Sequence, residues 1–202
     1  MKKSKNYFYG KIKPITIAYN QKVFVTSDTH FNHKNICSGV SEWTDKTKCR
    51  NFETIFEMNE TLINGINSLI SSDDLLFHLV DFSFGGEGSI PEFRAKINCK
   101  NIILIKGNHD QHIHKYKNLF IDMKEIGFYN YLDTNFVLCH YPMMHWQNQK
   151  KGSIMLHGHL HGFESDILKT MHDNCKIMDV GVDTNNYYPY NLTDLIAKFE
   201  KK

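Results

Sequence analysis

Asp, Asn and His residues form short clusters along this chain, and each cluster follows directly after a short apolar run. The clusters are Asp28-Thr29-His30, Asp81, Gly107-Asn108-His109-Asp110, His140 and His157-Gly158-His159-Leu160-His161-Gly162. Carboxylate, amide and imidazole groups suit first-row divalent metals such as Mn, Fe, Ni or Zn. No cysteine accompanies them, which argues against a structural thiolate zinc site. The sequence therefore predicts a metal site with enough ligands for two ions, provided that one carboxylate is shared.

The spacing within two clusters also favours a common site. Residues i and i+2 of an extended backbone point to the same side, so Asp28 and His30, or His159 and His161, can converge on one ion. Each cluster alone has an ordinary explanation, because an Asp after a strand is often a turn residue or a helix cap. Five clusters that each end an apolar run are more simply explained by one site than by five separate caps.

The apolar runs before the clusters predict the strands that position them. Buried strands are expected at 22–27, 75–80, 101–105, 136–139, 153–156 and 176–180. Apolar residues at helical spacing predict helices at 53–70 and 192–199, and Ser89 before Pro91 predicts the N-cap of a helix at 89–97. This order indicates an α/β sandwich of two mixed sheets with helices outside. In α/β sheets, ligands bind beyond the carboxyl ends of the strands, where the clusters lie.

Length and composition indicate the class of protein. With 202 residues, 41% of them hydrophobic and 23% charged, the chain fits a globular protein and not a disordered, fibrous or coiled-coil one. No apolar run is long enough to predict a membrane span, and a net charge of +2 does not favour broad nucleic-acid binding. Five dispersed cysteines without a C-x-x-C pair predict reduced thiols, and the N-terminus lacks a signal-peptide pattern, so we expect a cytoplasmic protein.

The predicted domain organisation is a single domain at 22–202 preceded by an extension at 1–21. Alternating residues at 15–19, followed by Asn20 and Gln21, predict that this extension forms a hairpin with the strand at 22–27. An interaction arm is the alternative role for this segment.

The five motifs in this order resemble those of the calcineurin-like metallophosphoesterase superfamily, which are D-x-H, G-D, G-N-H-[DE], a lone His and G-H-x-H. Residues 26–33, which read T-S-D-T-H-F-N-H, are most similar to the small bacterial and phage members. The resemblance implies a four-layer α/β/β/α sandwich with two mixed sheets and a metal-dependent phosphoric ester hydrolase. One departure is Val80, which stands where the second motif usually has glycine. We expect Val80 to keep a β conformation, with little effect on metal binding.

The resemblance also implies a role for each motif residue. Two divalent ions are expected, with Mn²⁺ as the first choice and Fe, Ni or Zn as alternatives. The implied ligands are Asp28, His30 and His161 for the first ion, Asn108, His140 and His159 for the second, and Asp81 as the bridge between them. His109 would act as the general acid or charge stabiliser at the scissile phosphate, and Asp110 would orient it.

The resemblance implies hydrolysis of a phosphate ester by a hydroxide that bridges the two metals. Because the chain is small and shows no obvious added specificity domain, we expect the substrate to be a phosphodiester of nucleotide or cyclic-nucleotide type and not a phosphoprotein. A phosphomonoesterase and a nuclease are the alternatives on the same scaffold. An inactive binding module and a nucleic-acid regulator without turnover are less favoured, because all the ligands and His109 are present. The expected partner is therefore a phosphate-ester substrate, with nucleic acid retained as an alternative substrate, no membrane, and no prediction of the oligomeric state.

Three residues outside the motifs are candidates for substrate binding. His33 closely follows the first motif and could reach the mouth of the site. Arg50 could hold a phosphate group through its guanidinium, or it could simply be solvated. Tyr188 could stack on a nucleobase, or the tyrosines around it could instead pack the terminal helix against the sheet.

Overall fold

Two five-stranded sheets lie face to face in the computed structural model, which describes residues 11–18, 20–109 and 112–201. The strands are β1 (Lys13–Pro14), β2 (Val23–Thr26), β3 (Leu75–His78), β4 (Asn101–Ile105), β5 (Asp122–Lys124), β6 (Ile126–Tyr131), β7 (Thr134–Cys139), β8 (Ile154–His157), β9 (Ile177–Asp179) and β10 (Tyr190–Asn191). The first sheet has the order β10-β2-β3-β4-β5, with β10 antiparallel to β2 and the other pairs parallel. The second sheet has the order β1-β6-β7-β8-β9, with β6 and β7 antiparallel and the other pairs parallel. Both sheets are mixed, as predicted.

In the described part of the chain, four α-helices accompany the sheets. They are α1 (Ile55–Leu69), α2 (Ser89–Lys96), α3 (Asp166–Met171) and α4 (Leu192–Glu200). The hydroxyl of Thr54 accepts the N–H of Glu57 (3.1 Å) and caps the start of α1. The expected cap of α2 is wrong, because Ser89 is its first helical residue and Gly88, which has no side chain to cap it, precedes it. None of the helices described is long and apolar enough to cross a membrane.

Alternating side chains of the central strands supply both cores of the molecule. In β2, Val23 and Val25 face the second sheet, whereas Phe24 faces α1 and α2, because successive residues of a strand point to opposite sides. The core between the sheets also receives one face of α4. The buried apolar residues on this face are Leu192, Leu195, Ile196 and Phe199. The strands that carry the polar motifs are therefore fixed on both faces.

The outer face of the second sheet has a thinner cover than that of the first. Val137, Cys139 and Met155 pack under Trp146. The indole N–H of Trp146 donates to the carbonyl oxygen of Ser153 (3.1 Å), which fixes the ring on the sheet. Helix α3 buries none of its residues. The fourth layer is therefore built from loop segments around Trp146 and the chain that follows α3, whereas α1 and α2 form the layer on the first sheet.

The segment before β2 does not form the expected hairpin. Strand β1 runs parallel to β6 in the second sheet, and the N–H of Ile15 continues this pairing by donating to the carbonyl oxygen of Asn130 (2.8 Å). The N–H of Gln21 donates to the carbonyl oxygen of Ala18 (3.1 Å) and closes a turn. The hairpin prediction is wrong because β3 and β10 already occupy the two edges of β2. Residues 1–10 and 19 of the extension lie outside the described residues.

Candidate metal centre

The carboxyl ends of five strands meet at one edge of the sandwich, and the polar motifs follow at that edge. Asp28 and His30 come after β2, and Asp81 comes after β3. The other motif residues follow β4 (Asn108 and His109), β7 (His140) and β8 (His159 and His161). A parallel bridge between Ser27 and Gly181 joins the two sheets at the same edge. The topology therefore brings together the predicted clusters.

The first ligand group comprises Asp28, His30 and His161, whose candidate ligand atoms lie within 4.8 Å of one another. The Nε2 atoms of His30 and His161 are each 3.9 Å from Asp28 Oδ1. The other carboxylate oxygen, Oδ2, accepts the backbone N–H of His159 (3.0 Å). This hydrogen bond fixes the carboxylate so that Oδ1 is directed at the two imidazoles.

The second ligand group comprises Asp81, His140 and His159. Asp81 Oδ2 lies 3.4 Å from His140 Nε2, and Asn108 Oδ1 lies 3.0 Å from the same nitrogen. Asp81 Oδ2 is also 3.8 Å from His30 Nε2 in the first group. Asp81 therefore lies between the two groups, where a shared carboxylate would be needed.

Hydrogen bonds behind the imidazoles determine which nitrogen faces the centre. His140 Nδ1 lies 2.8 Å from the carbonyl oxygen of Leu79, which can only accept, so Nδ1 carries a proton. His161 Nδ1 lies 2.7 Å from Asp183 Oδ2 in the same way. In both residues Nε2 is left as the atom that faces the carboxylates. Partners of this kind orient histidine ligands in metal sites.

His30 is the clearest sign that the centre is built for a cation. The residue is 3% exposed, and neither of its ring nitrogens has a hydrogen-bond partner among the described residues. Oδ1 of the buried Asp28 also lacks such a partner there. A buried polar atom without a partner costs about 1–3 kcal/mol, so such atoms are rare. A divalent cation coordinated by Asp28 and His30 would satisfy these atoms, and the donor set fits such an ion.

Burial and neighbouring charges shift the pKa values in both groups. Burial raises the pKa of Asp28 to about 6 and lowers the pKa of His30 well below its usual value. Burial would also raise the pKa of Asp81, but its hydrogen bond with His140 lowers that pKa overall. Burial would lower the pKa of His140, yet the contact with Asp81 raises it. Without a metal ion, protons on Asp28 and His140 therefore offset the negative charge of the carboxylates. A metal ion that binds must displace these protons.

Two glycines make room for the carboxylates. A side chain at Gly158 would collide with Asp28 Oδ2 and Ser27 Oγ, and one at Gly107 would collide with Asp81 Oδ1. Each glycine belongs to a motif, and each motif passes close to a carboxylate that comes from another strand. The glycines of these motifs are therefore required by close approach of the backbone.

Val80 does not keep the expected β conformation. Its φ is 49° and that of Asp81 is 45°, so both residues lie in the left-handed region, which is strained for a β-branched side chain. The side chain of Val80 is buried in the core under α1, and its N–H donates to His78 Nδ1 (3.1 Å). The Val80 carbonyl oxygen accepts the N–H of Asp28 (2.8 Å). These contacts hold Val80 in the backbone conformation that a glycine would adopt without strain.

Arg50 is not positioned to bind substrate, and that prediction is wrong. It is 3% exposed, and its Nε and Nη2 atoms donate to the two carboxylate oxygens of Asp183 (2.7 and 2.8 Å). Its guanidinium also donates to the carbonyl oxygens of Asp28 (2.6 Å) and Thr29 (2.9 Å). Burial would raise the pKa of Asp183, but Arg50 and His161 hold it at about 2. Arg50 therefore supports the first ligand group from behind.

A cavity of about 430 Å³ opens beside the first group and has His33 and His109 in its wall. Burial lowers the pKa of His33 to about 4, so its ring is neutral near pH 7. The backbone N–H of His109 donates to Asp81 Oδ1 (3.0 Å), and its side chain is 48% exposed. Asp110, the residue expected to orient His109, lies outside the described residues.

Tyr188 does not line this cavity, so the structure gives no support to its predicted role in substrate binding. The residue is 46% exposed and lies beside Gly65 of α1. It is absent from the residues that line the cavity in the described part of the chain. The reason is the path of the chain, which passes over α1 between β9 and β10.

Two residues of the centre were missed by the sequence analysis. Asp183 follows an apolar strand, which is the signal that identified Asp81, so the same rule could have found it. Tyr141 donates its hydroxyl to Asn108 Oδ1 (3.1 Å) and packs its ring against His159 with centroids 4.7 Å apart. Nothing in the residue type or the spacing of Tyr141 indicates this contact.

Comparison with known proteins identifies the family. The family model for calcineurin-like phosphoesterases matches residues 21–180. An uncharacterized protein of Methanocaldococcus jannaschii is 30% identical over 184 residues, which cover 90% of this chain and 93% of that protein. The crystal structure of a protein of unknown function from Aquifex aeolicus has a TM-score of 0.66 at 21% identity and covers 89% of this chain and 100% of its own. A novel archaeal phosphodiesterase aligns with a TM-score of 0.41 at 19% identity, over 80% of this chain and 82% of its own. The chain therefore belongs to the calcineurin-like phosphoesterase family and is a metal-dependent hydrolase of phosphate esters.

Proposed function

We propose that the chain is a dinuclear phosphodiesterase that uses Mn²⁺ and acts on nucleotide-type esters. The proposed ligands are Asp28, His30 and His161 for one ion, Asn108, His140 and His159 for the other, with Asp81 shared. The observation that carries the proposal is that both ring nitrogens of buried His30 lack a hydrogen-bond partner among the described residues, while the ring lies within 4 Å of both Asp28 and Asp81. Two bound cations would supply an activated water and would neutralise the charge of the phosphate oxygens.

His109 is the proposed general acid. Its backbone N–H donates a hydrogen bond to Asp81 Oδ1, while its half-exposed side chain borders the cavity that a phosphate ester would enter. A protonated imidazole at this position can give its proton to the leaving oxygen, which typically accelerates a reaction by about 10²–10⁴-fold. The orienting role of Asp110 follows from the family resemblance and remains part of this proposal.

Charge favours a diester over a monoester as the substrate. A phosphomonoester has a second negative charge, which enzymes commonly meet with arginine. Arg50 is engaged by Asp183, and burial keeps His33 neutral. Neither residue therefore supplies an extra positive charge next to the ligand groups, and Lys48, which also lines the cavity, lies beside Phe163. A monoanionic diester matches these surroundings better than a dianionic monoester. We also propose a cytoplasmic location, because all five cysteines are free thiols.

The test of this function is a hydrolysis panel with purified protein and added Mn²⁺. We expect turnover of phosphodiesters such as bis(4-nitrophenyl) phosphate, slower turnover of 4-nitrophenyl phosphate, and loss of both activities in EDTA. Cyclic nucleotides and short RNA or DNA complete the panel. Faster cleavage of the monoester would favour the phosphomonoesterase alternative, and absence of any turnover with tight nucleic-acid binding would favour a regulator.

His109→Ala tests the role of the proposed acid. We expect hydrolysis of alkyl esters, which have poor leaving groups, to fall about 10²–10⁴-fold, while metal content stays near normal. Esters with a 4-nitrophenolate leaving group need less protonation and should lose less activity. His145→Ala, which changes an exposed histidine paired with Gln149, is the matched control. Full activity of the His109 variant on alkyl esters would show that the residue is not the acid.

A further inference from the structure

The wall of the cavity beside the first ligand group contains aromatic rings that the metal ligands do not explain. Trp43, Phe84 and Phe163 line this cavity together with the ligands His30 and His161. Its volume of about 430 Å³ falls in the range of about 300–1,000 Å³ that small-molecule sites occupy. The cavity is larger than a phosphate group, so room remains for the organic part of a substrate.

Two of these rings are exposed although they are large and apolar. Trp43 is 41% exposed and Phe163 is 51% exposed. Both come from loops that follow a ligand motif, since Trp43 lies between His30 and α1, and Phe163 comes two residues after His161. Exposed apolar side chains grouped beside a site mark a ligand-binding surface. Because both rings are this exposed, packing in the hydrophobic core does not explain why large apolar side chains occur at these two positions.

Phe84 is held in place by stacking on His33. The two ring centroids are 3.9 Å apart and the planes differ by 8°. Trp43 approaches His33 edge-on, with centroids 5.7 Å apart. These three rings therefore form a preorganised wall that leads from the mouth of the cavity to His30. A preorganised wall reduces the entropy that is lost when a rigid ligand binds.

Lys48 adds positive charge at the same rim. Its Nζ atom lies 5.5 Å from the centroid of the Phe163 ring. Asp45 lies near enough for its carboxylate charge to interact with that of Lys48. A cation next to exposed rings favours a ligand that combines a flat aromatic group with negative charge.

We propose that this cavity binds the base of a nucleotide ester, with Trp43 and Phe163 as the stacking residues and Lys48 at its edge. The inference rests on the proposed function, because it identifies the group that is esterified to the reacting phosphate. Every nucleobase has a π face on which an aromatic side chain can stack, whereas a simple alkyl group has none. A preference for nucleotide esters over alkyl esters is therefore the property that distinguishes this cavity.

The experiment compares two diesters that share the bond to be cleaved, thymidine 5′-(4-nitrophenyl phosphate) and ethyl 4-nitrophenyl phosphate, with Mn²⁺ present. We expect the wild-type protein to have the higher kcat/KM on the thymidine ester. Trp43→Ala and Phe163→Ala should each lower that value about 5- to 150-fold and should change the ethyl ester less than about twofold. Trp43→Phe, which keeps a ring, should retain most of the preference.

Tyr188→Ala is the matched control, because Tyr188 is as exposed as Trp43 but lies outside the cavity. It should leave both esters unchanged. Equal rates on the two esters in the wild-type protein, or equal losses on both esters in the Trp43 and Phe163 variants, would overturn the proposal.

Binding distinguishes failure of the cavity from failure of the proposed function. If neither ester is hydrolysed, the proposed function fails, and the cavity is then judged by calorimetric titration of the Mn²⁺-supplemented protein. We expect adenosine 5′-monophosphate to bind at least about fivefold more tightly than ribose 5-phosphate, and Phe163→Ala to remove this difference. Equal Kd values for the two ligands would overturn the assignment of the cavity.

Discussion

The two ligand groups of the centre have similar side chains but different support. In the first group, His161 is held by Asp183, which is itself paired with buried Arg50. In the second group, His140 is held by the backbone carbonyl oxygen of Leu79. The first support is ionic, whereas the second is a hydrogen bond to a backbone carbonyl oxygen that follows β3 in the other sheet. Ligand identity alone therefore does not determine how firmly each half of the centre is organised.

The two groups differ in the surroundings of their ligands and not in the burial of those ligands. Asp28 and His30 of the first group are 0% and 3% exposed, and Asp81 and His140 of the second group are 2% and 0% exposed. Behind the first group lies the buried ion pair of Arg50 and Asp183, whereas Tyr141, which contacts the second group, is 44% exposed. We expect loss of the buried ion pair to affect stability as well as metal binding, and loss of the Tyr141 hydroxyl to affect mainly metal binding.

Asp81→Ala should have the largest effect, because one carboxylate serves both groups in the proposed arrangement. We expect both ions to be lost and hydrolysis to fall by more than about 10³-fold, since the metals stabilise the transition state by several kcal/mol. Metal content after gel filtration and the rate of diester hydrolysis measure the effect. The exposed Asp173 provides the control substitution, Asp173→Ala. A variant of Asp81 that retained a full equivalent of each ion would show that the carboxylate is not shared.

Asp183→Asn tests the ionic support of the first group. Breaking a buried ion pair costs about 3–5 kcal/mol, and we expect about 3 kcal/mol because the Asp183 side chain is 15% exposed. Metal affinity of the first group should also fall about 10–100-fold, since His161 loses the carboxylate that orients it. Urea denaturation and metal titration measure the two effects. Adding Arg50→Met should restore part of the stability, and an unchanged urea midpoint in the single variant would contradict the ionic role.

Asp28→Asn tests the charge of the first group through its pH dependence. Burial raises the pKa of Asp28 from 3.8 to about 6, so the metal-free folded protein keeps a proton that the unfolded chain releases between about pH 4 and 6. The free energy of unfolding contributed by Asp28 therefore falls as pH rises through this range. The total is up to about 3 kcal/mol, at about 1.4 kcal/mol per pKa unit.

Denaturation in EDTA at pH 4 and pH 7 measures this dependence. The difference between the two pH values should be smaller in Asp28→Asn than in the wild-type protein, and at pH 7 the variant should be the more stable. Mn²⁺ should reverse that order, because the ion replaces the proton beside the carboxylate. Identical pH dependence in the two proteins would contradict the raised pKa.

Tyr141→Phe should have the smallest effect, because it removes one partly exposed hydrogen bond to Asn108. A loss of about 0.5–1.5 kcal/mol corresponds to an approximately two- to tenfold weaker second ion, with the first ion unaffected. Calorimetric titration with Mn²⁺ resolves the two sites. A loss as large as that of Asp183→Asn would show that the two groups are supported equally.

The positions of the proposed ligands were predictable because the signal that marks them is local. Each of β2, β3, β4, β7 and β8 begins as an apolar run and leads into a polar motif, and parallel strands then bring those motifs to one edge. The helices at α1 and α4 were predictable for a similar reason, since one face of each is apolar at helical spacing. By contrast, α3 has no buried residue and therefore no apolar face to detect.

Contacts between distant residues account for the features that sequence reasoning missed. Arg50 and Asp183 are 133 positions apart, so the sequence could not show that this guanidinium is already paired. The left-handed backbone of Val80 is held in part by the hydrogen bond from Asp28, which forms only when β2 and β3 lie side by side. Strand β6 was missed although its alternate residues Gly127, Tyr129 and Tyr131 are buried, because aromatic residues alternating with glycine and asparagine form only a weak apolar pattern.

The room that Gly158 and Gly107 leave for the carboxylates has a consequence for how related chains are classified. Neither glycine could coordinate a metal through a side chain, yet a methyl group at either position would displace Asp28 or Asp81. A homologue with every ligand intact and alanine in place of Gly158 is therefore expected to be inactive. An inventory of ligands would count that homologue among the working enzymes, so these two small residues belong in any signature used to recognise active members.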